Sequence, residues 1–376
     1  MPSHLSQQIA AFVQPFFALQ YPTEPPEHID SFPDSKYYST GCNDIYLIIT
    51  CIAAMAILRD ALRLGVFEPF ARWKLSRDLR QRVERRAAEK SHSNGSANGM
   101  ANGKVNGVAN GVANGRAANG HANGHAPRAT KKELQLVHRR VLRFAEQGWS
   151  VVYYTLQWLY GVYVHRNLPT RILDPTDLWL NYPHFPLAGP LKFYYLTQTA
   201  FYFHQMLILN AEARRKDHYQ MMLHHIITIA LMAASYFYNF TRVGCLIMVL
   251  MDCSDIFLPL AKMISYIDIS QTLCDCVFGV FVLSWLVTRN ILYLRVVVSV
   301  YFDVPRLVEY VYDPARGRYA TKNTMFAFNA ALWILQVLQI IWFGMIVRVV
   351  IRVLMKKGAS DTRSDGEDDD EDTKDD

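Results

Sequence analysis

Residues 193–211 (FYYLTQTAFYFHQMLILNA) contain no Asp, Glu, Lys or Arg, and the same is true of 219–241 and 325–347. About 20 consecutive apolar residues, rising 1.5 Å each as a helix, cross the ~30 Å hydrocarbon core of a bilayer. Inside that core every backbone N–H and C=O must be satisfied within the protein, which leaves helices or closed barrels. Windows this long predict helices. Four more follow the same pattern: 45–67, with Arg59, Asp60 and Arg63 near one end; 149–164, aromatic at both ends; 243–261, which holds Asp252 and Asp255; and 276–288, whose apolar character continues past Arg289. The reading is an all-α polytopic membrane protein with about seven transmembrane helices, or six if 45–67 does not cross.

Composition agrees. Only 19% of the chain is charged, against about 25% in an ordinary soluble domain. Residues 361–376 hold ten acids and two bases, so removing this tail's net −8 turns the formal charge from +6 to +14. The positive excess is not a nucleic-acid signature. It is concentrated in 68–143, with sixteen Lys/Arg against five Asp/Glu, and short basic loops face the cytosol. With seven spans the N-terminus is then lumenal and the C-terminus cytosolic. Loops 165–191 and 296–324 fall in the lumen, although Arg306, Arg316, Arg318 and Lys322 run against the rule in the second. The organisation expected is a lumenal segment 1–44, a first transmembrane helix 45–67, a basic and Asn-Gly-rich cytosolic linker 68–139, a membrane domain 140–355, and an acidic disordered cytosolic tail 356–376. Eight Asn-Gly pairs in 94–124 give no apolar face to stack, so that stretch reads as flexible. No cleavable signal peptide is expected, and the six cysteines show no disulfide framework.

Ionisable groups inside a membrane are costly and mark sites. His224-His225 lie one to two turns into the 219–241 span, and Asp252 and Asp255 share a helix face at i and i+3. The two spans are consecutive and joined by a short turn, so they are antiparallel neighbours. A carboxylate beside an imidazole fixes its tautomer and orients it. That makes a general base or a nucleophile in an apolar cavity; a polar clamp between helices is the alternative. His204, His218, His224 and His225 also raise a metal reading. The set lacks the spacing of a di-iron or HExxH site, so no metal is expected. Asn329, Gln336 and Gln339 form one stripe, and Gln198 and Gln205 another. Either stripe lines a cavity or bonds a neighbouring helix.

The stretch 217–262 carries a denser pattern: Asp217, His224-His225, Ser235-Tyr236, Asn239, Arg242-Val243-Gly244, Met251-Asp252-x-x-Asp255 and Ala261-Lys262. It resembles the Lag motif of ceramide synthases, within the TRAM–LAG–CLN8 (TLC) membrane family. The likeness extends more loosely over 140–355, and fungal members are the nearest in pattern. Many animal members carry a homeobox-like segment after the first span, where this chain has its basic linker.

The resemblance implies a six-helix TLC-type bundle enclosing a cavity, in the endoplasmic reticulum membrane. It implies transfer of a fatty acyl chain from acyl-CoA to the amino group of a sphingoid base, sphinganine or phytosphingosine. His224, His225, Asp252 and Asp255 would be catalytic, by a general-base or an acyl-imidazole route. Asn239, Arg242, Tyr236, Asn329 and Gln336 would bind substrate, and Arg214, Arg215 and Lys216 would meet the anionic CoA. Acyl-CoA is then a co-substrate, with no permanently bound cofactor. The expected partners are membrane lipids and no nucleic acid; the resemblance leaves room for a small accessory membrane subunit and for homo- or heterodimers. By family analogy, chain-length selection falls near 296–325. Ser364, followed by Glu367 and further acids, fits an acidophilic kinase site. Two other classes compete: a non-catalytic TLC-family protein that senses or carries lipid, and a channel using Asp252 and Asp255 as an ion site.

Overall fold

The computed structural model describes residues 13–101, 129–211 and 217–355. Helix α1 (Asp44–Leu62) passes through a π turn (Arg63–Phe67) into α2 (Glu68–Ala101). After the segment 102–128 come α3 (Lys131–Arg166), α4 (Gly189–Ala211) and α5 (His218–Phe237). Helices α6 (Thr241–Asp255) and α7 (Phe257–Tyr266) follow, then α8 (Gln271–Trp285). A second π turn (Leu286–Leu292) leads into α9 (Tyr293–Phe302), a single turn α10 (Val304–Leu307), and α11 (Lys322–Leu354).

All seven apolar windows lie in these helices. Among the described residues, five spans are both long and apolar enough to cross a membrane: Asp44–Glu89, His218–Phe237, Thr241–Tyr266, Gln271–Phe302 and Lys322–Val353. Helices α3 and α4 are long enough, at 36 and 23 residues, but more polar. The reason is visible in α4. Lys192, Gln198 and His204 are all buried within the protein, so their polarity faces neighbouring helices rather than lipid.

The linker expected from Glu68 onward is helical as far as Ala101. Its first part, EPFARWKLSRDLRQRVERRAAEK, is rich in Arg, Leu, Ala and Glu, all good helix formers. Ala71 and Leu75 pack on Val141, Phe144 and Ile267. Asp268 accepts from Arg82 at 2.9 Å and from Arg140 at 2.8 Å, tying α2 and α3 to the α7–α8 turn. Most of the Asn-Gly tract and the acidic tail with Ser364 lie outside the described residues.

Local chemistry sets the breaks. The α5–α6 turn passes through Asn239 at φ +61°, the left-handed region that Asn tolerates. The α6–α7 break falls at Ile256. Pro259, lying three residues beyond, has no N–H to give the carbonyl of Asp255 and crowds it.

At one end of the bundle, three two-residue antiparallel strands pair as Pro22–Thr23 (β1), Tyr37–Tyr38 (β2) and Leu187–Ala188 (β3). This hairpin end is pinned by Lys192, fully buried. Its Nζ reaches Asp44 Oδ1 at 2.8 Å and the carbonyls of Gln20 at 2.8 Å and Ser39 at 2.7 Å. Tyr236 donates to the other Asp44 oxygen at 2.7 Å. The opposite end, with α2 and Asp268, is the linker end. Leu246, Tyr293, Val297 and Leu335 belong to the main core between α6, α9 and α11.

Candidate active site

An apolar cavity lies inside the bundle. Tyr202 of α4, His224 of α5 and Gln339 of α11 line one part. Trp179, Phe240, Val300, Met325 and Phe328 line the part toward the hairpin end. Between them run Leu231 and Met232 of α5, Ile247, Met248 and Met251 of α6, and Leu332 and Leu335 of α11. The apolar walls suit a hydrophobic ligand or a lipid chain.

His224 is the imidazole on this cavity. Its ring stands edge-on to Trp342, centroids 5.3 Å apart, and to His225 at 5.5 Å. His225 is buried and packs against Tyr202 at 5.9 Å. The Nδ1 atoms of both rings are buried without a hydrogen-bond partner.

Both aspartates draw partners from helices other than that of the histidines. Asp252, 1% exposed, accepts from Gln198 of α4, whose amide also reaches Tyr194 Oη at 3.4 Å. Asp255 pairs with Arg289 at 2.6 Å. The helix positions are as expected, but a helix-face argument says nothing about which side chains of other helices arrive first. Arg289 sits in the second π turn, a distortion often found at functional positions. It also donates to the carbonyl of Met251 at 2.6 Å and to Gln339 Oε1 at 3.3 Å, and stacks on Trp285 at 4.2 Å. Arg289, Gln198, Tyr202 and Gln339 are therefore site residues that the motif does not contain. A signal for Arg289 was present: it is a lone charge in an apolar run.

Other expected substrate contacts fall elsewhere. Gln336 donates to the carbonyl of Arg289 at 3.4 Å, and neither it nor Asn329 lines the apolar cavity; their stripe-mate Gln339 does. Tyr236, Asn239 and Arg242 all sit at the hairpin end. Tyr236 holds Asp44, Asn239 donates to the carbonyl of Gly317 at 2.9 Å, and Arg242 pairs with Asp30. They hold the end of the bundle together, because the α5–α6 turn is carried there by the helix lengths. Arg214, Arg215 and Lys216 lie outside the described residues. Among the described residues no three His, Cys, Asp or Glu side chains gather as metal ligands.

Residues 143–348 match the TLC domain, more than half of the chain. The chain belongs to the TLC-domain family. Within it, the chain is 39% identical over 261 residues to a protein named ceramide synthase FUM18 from Gibberella moniliformis (strain M3125 / FGSC 7600), covering 62% of this chain and 61% of that one. It is 39% identical over 232 residues to sphingosine N-acyltransferase lag1 of Schizosaccharomyces pombe (strain 972 / ATCC 24843), covering 61% and 59%. To ceramide synthase 5 of Mus musculus it is 35% identical over 227 residues, covering 60% and 52%. The similarity thus spans about three-fifths of the length of the fungal relatives and about half of the mouse one. The TLC match contains His224, His225, Asp252, Asp255 and Arg289.

Proposed function

We propose that this TLC-domain protein is a ceramide synthase that transfers a fatty acyl chain from acyl-CoA to the amino group of a sphingoid base. The observation that carries this is the apolar cavity with His224 on its wall. A long acyl chain needs a dry channel, and its carbonyl needs an imidazole where the channel ends. The names of the relatives support the same reaction.

The chemistry follows from the residues. The acyl chain lies toward Trp179 and Met325, which leaves its thioester beside His224. The sphingoid amine is a nucleophile only without its extra proton, and His224 is placed to take it. As the amine nitrogen bonds to the thioester carbon, the C–S bond breaks and CoA leaves as the thiolate. Alternatively, the imidazole nitrogen attacks first with loss of the thiolate, and the amine then displaces the imidazole from the acyl group. His225 packs behind His224, and Asp252 and Asp255 hold Gln198 and Arg289 around the site as positioning residues. The water-poor cavity protects the activated acyl group from hydrolysis.

On this reading the linker end faces the cytosol, where CoA is met by Arg214, Arg215 and Lys216, and the hairpin end faces the lumen of the endoplasmic reticulum. Ser364 is a phosphorylation site in the cytosolic tail. An accessory subunit or a dimer partner would pack on the lipid-facing helices. Purified protein supplied with sphinganine or phytosphingosine and acyl-CoAs from C16 to C26 tests the proposal. Ceramide formation by the parent chain, lost in His224→Ala, is the expected result. No ceramide at any chain length, with or without co-purified membrane partners, would overturn it.

A further inference from the structure

A second cavity lies at the hairpin end. Its walls are the segment between β1 and β2, the loop 181–188, and the first residues of α6. No step of the acyl transfer uses it. Its lining is mixed, and more polar than that of the first cavity. The polar groups are built in: Arg242, His184 and Thr241 are 6%, 8% and 0% exposed.

The charges of this cavity are cancelled within its own wall. Arg242 spends its charge on Asp30 and also reaches the carbonyl of Leu180 at 3.5 Å. His184 stays neutral, because burial and the nearby Arg242 push its pKa down to about 3. Its Nε2 lies 2.9 Å from the carbonyl of Leu180. A carbonyl only accepts, so Nε2 carries the proton and Nδ1 is left as an acceptor with no partner. The Thr241 hydroxyl is buried and has no partner either. A charged ligand would have to break the Arg242–Asp30 pair. An uncharged ligand with hydroxyl or amide groups would satisfy the orphaned atoms, which are costly when left unmade. Ile29, Leu173, Leu180 and Phe185 are exposed apolar side chains of the same end.

We propose that this hairpin-end cavity binds the uncharged, hydroxyl-bearing headgroup of a lipid, the ceramide product. The identity of that lipid rests on the acyl-transfer reading: the reaction converts a charged amine into a neutral amide and keeps the hydroxyls. The start of α6 is the shared wall, with Thr241 and Arg242 on this cavity and Val243 and Gly244 on the apolar one. The headgroup site thus adjoins the hairpin end of the chain cavity, across the channel from His224, and receives the product only after it leaves the place where its amide forms.

The test uses full-length protein in phosphatidylcholine nanodiscs, titrated with radiolabelled short-chain ceramide, sphinganine and diacylglycerol. Thr241→Val and His184→Phe remove the two orphaned groups, and Thr241→Ser keeps the hydroxyl. We expect ceramide affinity to fall about tenfold in the first two and to be retained in Thr241→Ser. Sphinganine binding and the initial acyl-transfer rate should not change in any of the three. Folded Thr241→Val or His184→Phe protein with parental ceramide affinity would overturn the proposal. So would an equal loss of sphinganine binding, and a matching loss of diacylglycerol binding would reassign the site to glycerolipid. Ceramide binding that depends on Thr241 in a protein without acyl transfer would keep the headgroup site and remove the product assignment. Acyl transfer with unchanged ceramide binding would do the reverse.

Discussion

Arg289 lies in the interior with its guanidinium on Asp255, on the carbonyl of Met251 and on the amide oxygen of Gln339. Removing one member of a buried pair strands the other charge, at about 3–5 kcal/mol, whereas replacing both with neutral groups costs far less. Arg289→Gln and Asp255→Asn should each lower thermal stability in detergent by that order, and the double variant should lose much less than the two together. Additive losses would show that the pair is not coupled. The aspartates were legible in the sequence because a carboxylate in an apolar span stands out. Their partners were not. Gln198 is 54 positions from Asp252, and only packing of α4 against α6 decides that an amide, rather than an imidazole, reaches that carboxylate. The same limit explains Arg242, Tyr236 and Asn239. The motif marks them as a group, but helix length carries them to the hairpin end, away from His224.

At the scale of elements, the spans were readable from hydropathy, and their breaks from Asn239 and Pro259. Helix α2 was missed because an Asn-Gly repeat and a high charge hide the helix-forming run before them. The three-stranded hairpin was also invisible: two-residue strands carry no periodicity, and β3 is contributed from the far side of α3. This element has a pH dependence of its own through His184 in the loop before β3. Burial and Arg242 hold its folded pKa at about 3, well below the value of about 6.5 in an unfolded chain. Above pH 6.5 the ring is neutral in both states and contributes no pH dependence. As pH falls from 6.5 toward 3, the unfolded chain gains the proton first and stability is lost. At pH 5 the loss is about 2 kcal/mol. Thermal unfolding of the parent and of His184→Phe at pH 7 and pH 5 should show a larger acid-induced drop in the parent. An equal drop would contradict the assignment.

At the scale of the whole molecule, and among the described residues, the apolar cavity carries His224 on its wall and no Asp, Glu, Lys or Arg, while Asp30, His184 and Arg242 line the second cavity at the hairpin end. The imidazole site toward the linker end and the polar cavity at the hairpin end are separated by the Met- and Leu-lined channel of α5, α6 and α11. That arrangement suits a reaction that joins a long hydrocarbon to a polar amine. It would be needless for a helix clamp and too apolar for an ion path. On the proposed reaction an acyl chain fills this channel with its carbonyl at His224. Photocrosslinking tests it most directly, using a long-chain acyl-CoA that carries a diazirine at the methyl end of its chain, followed by peptide mass spectrometry. Crosslinks at Trp179, Val300, Met325 or Phe328, suppressed by excess unlabelled acyl-CoA, are the expected result. Competable crosslinks confined to lipid-facing residues such as Leu207, Leu283 or Ile340 would contradict it.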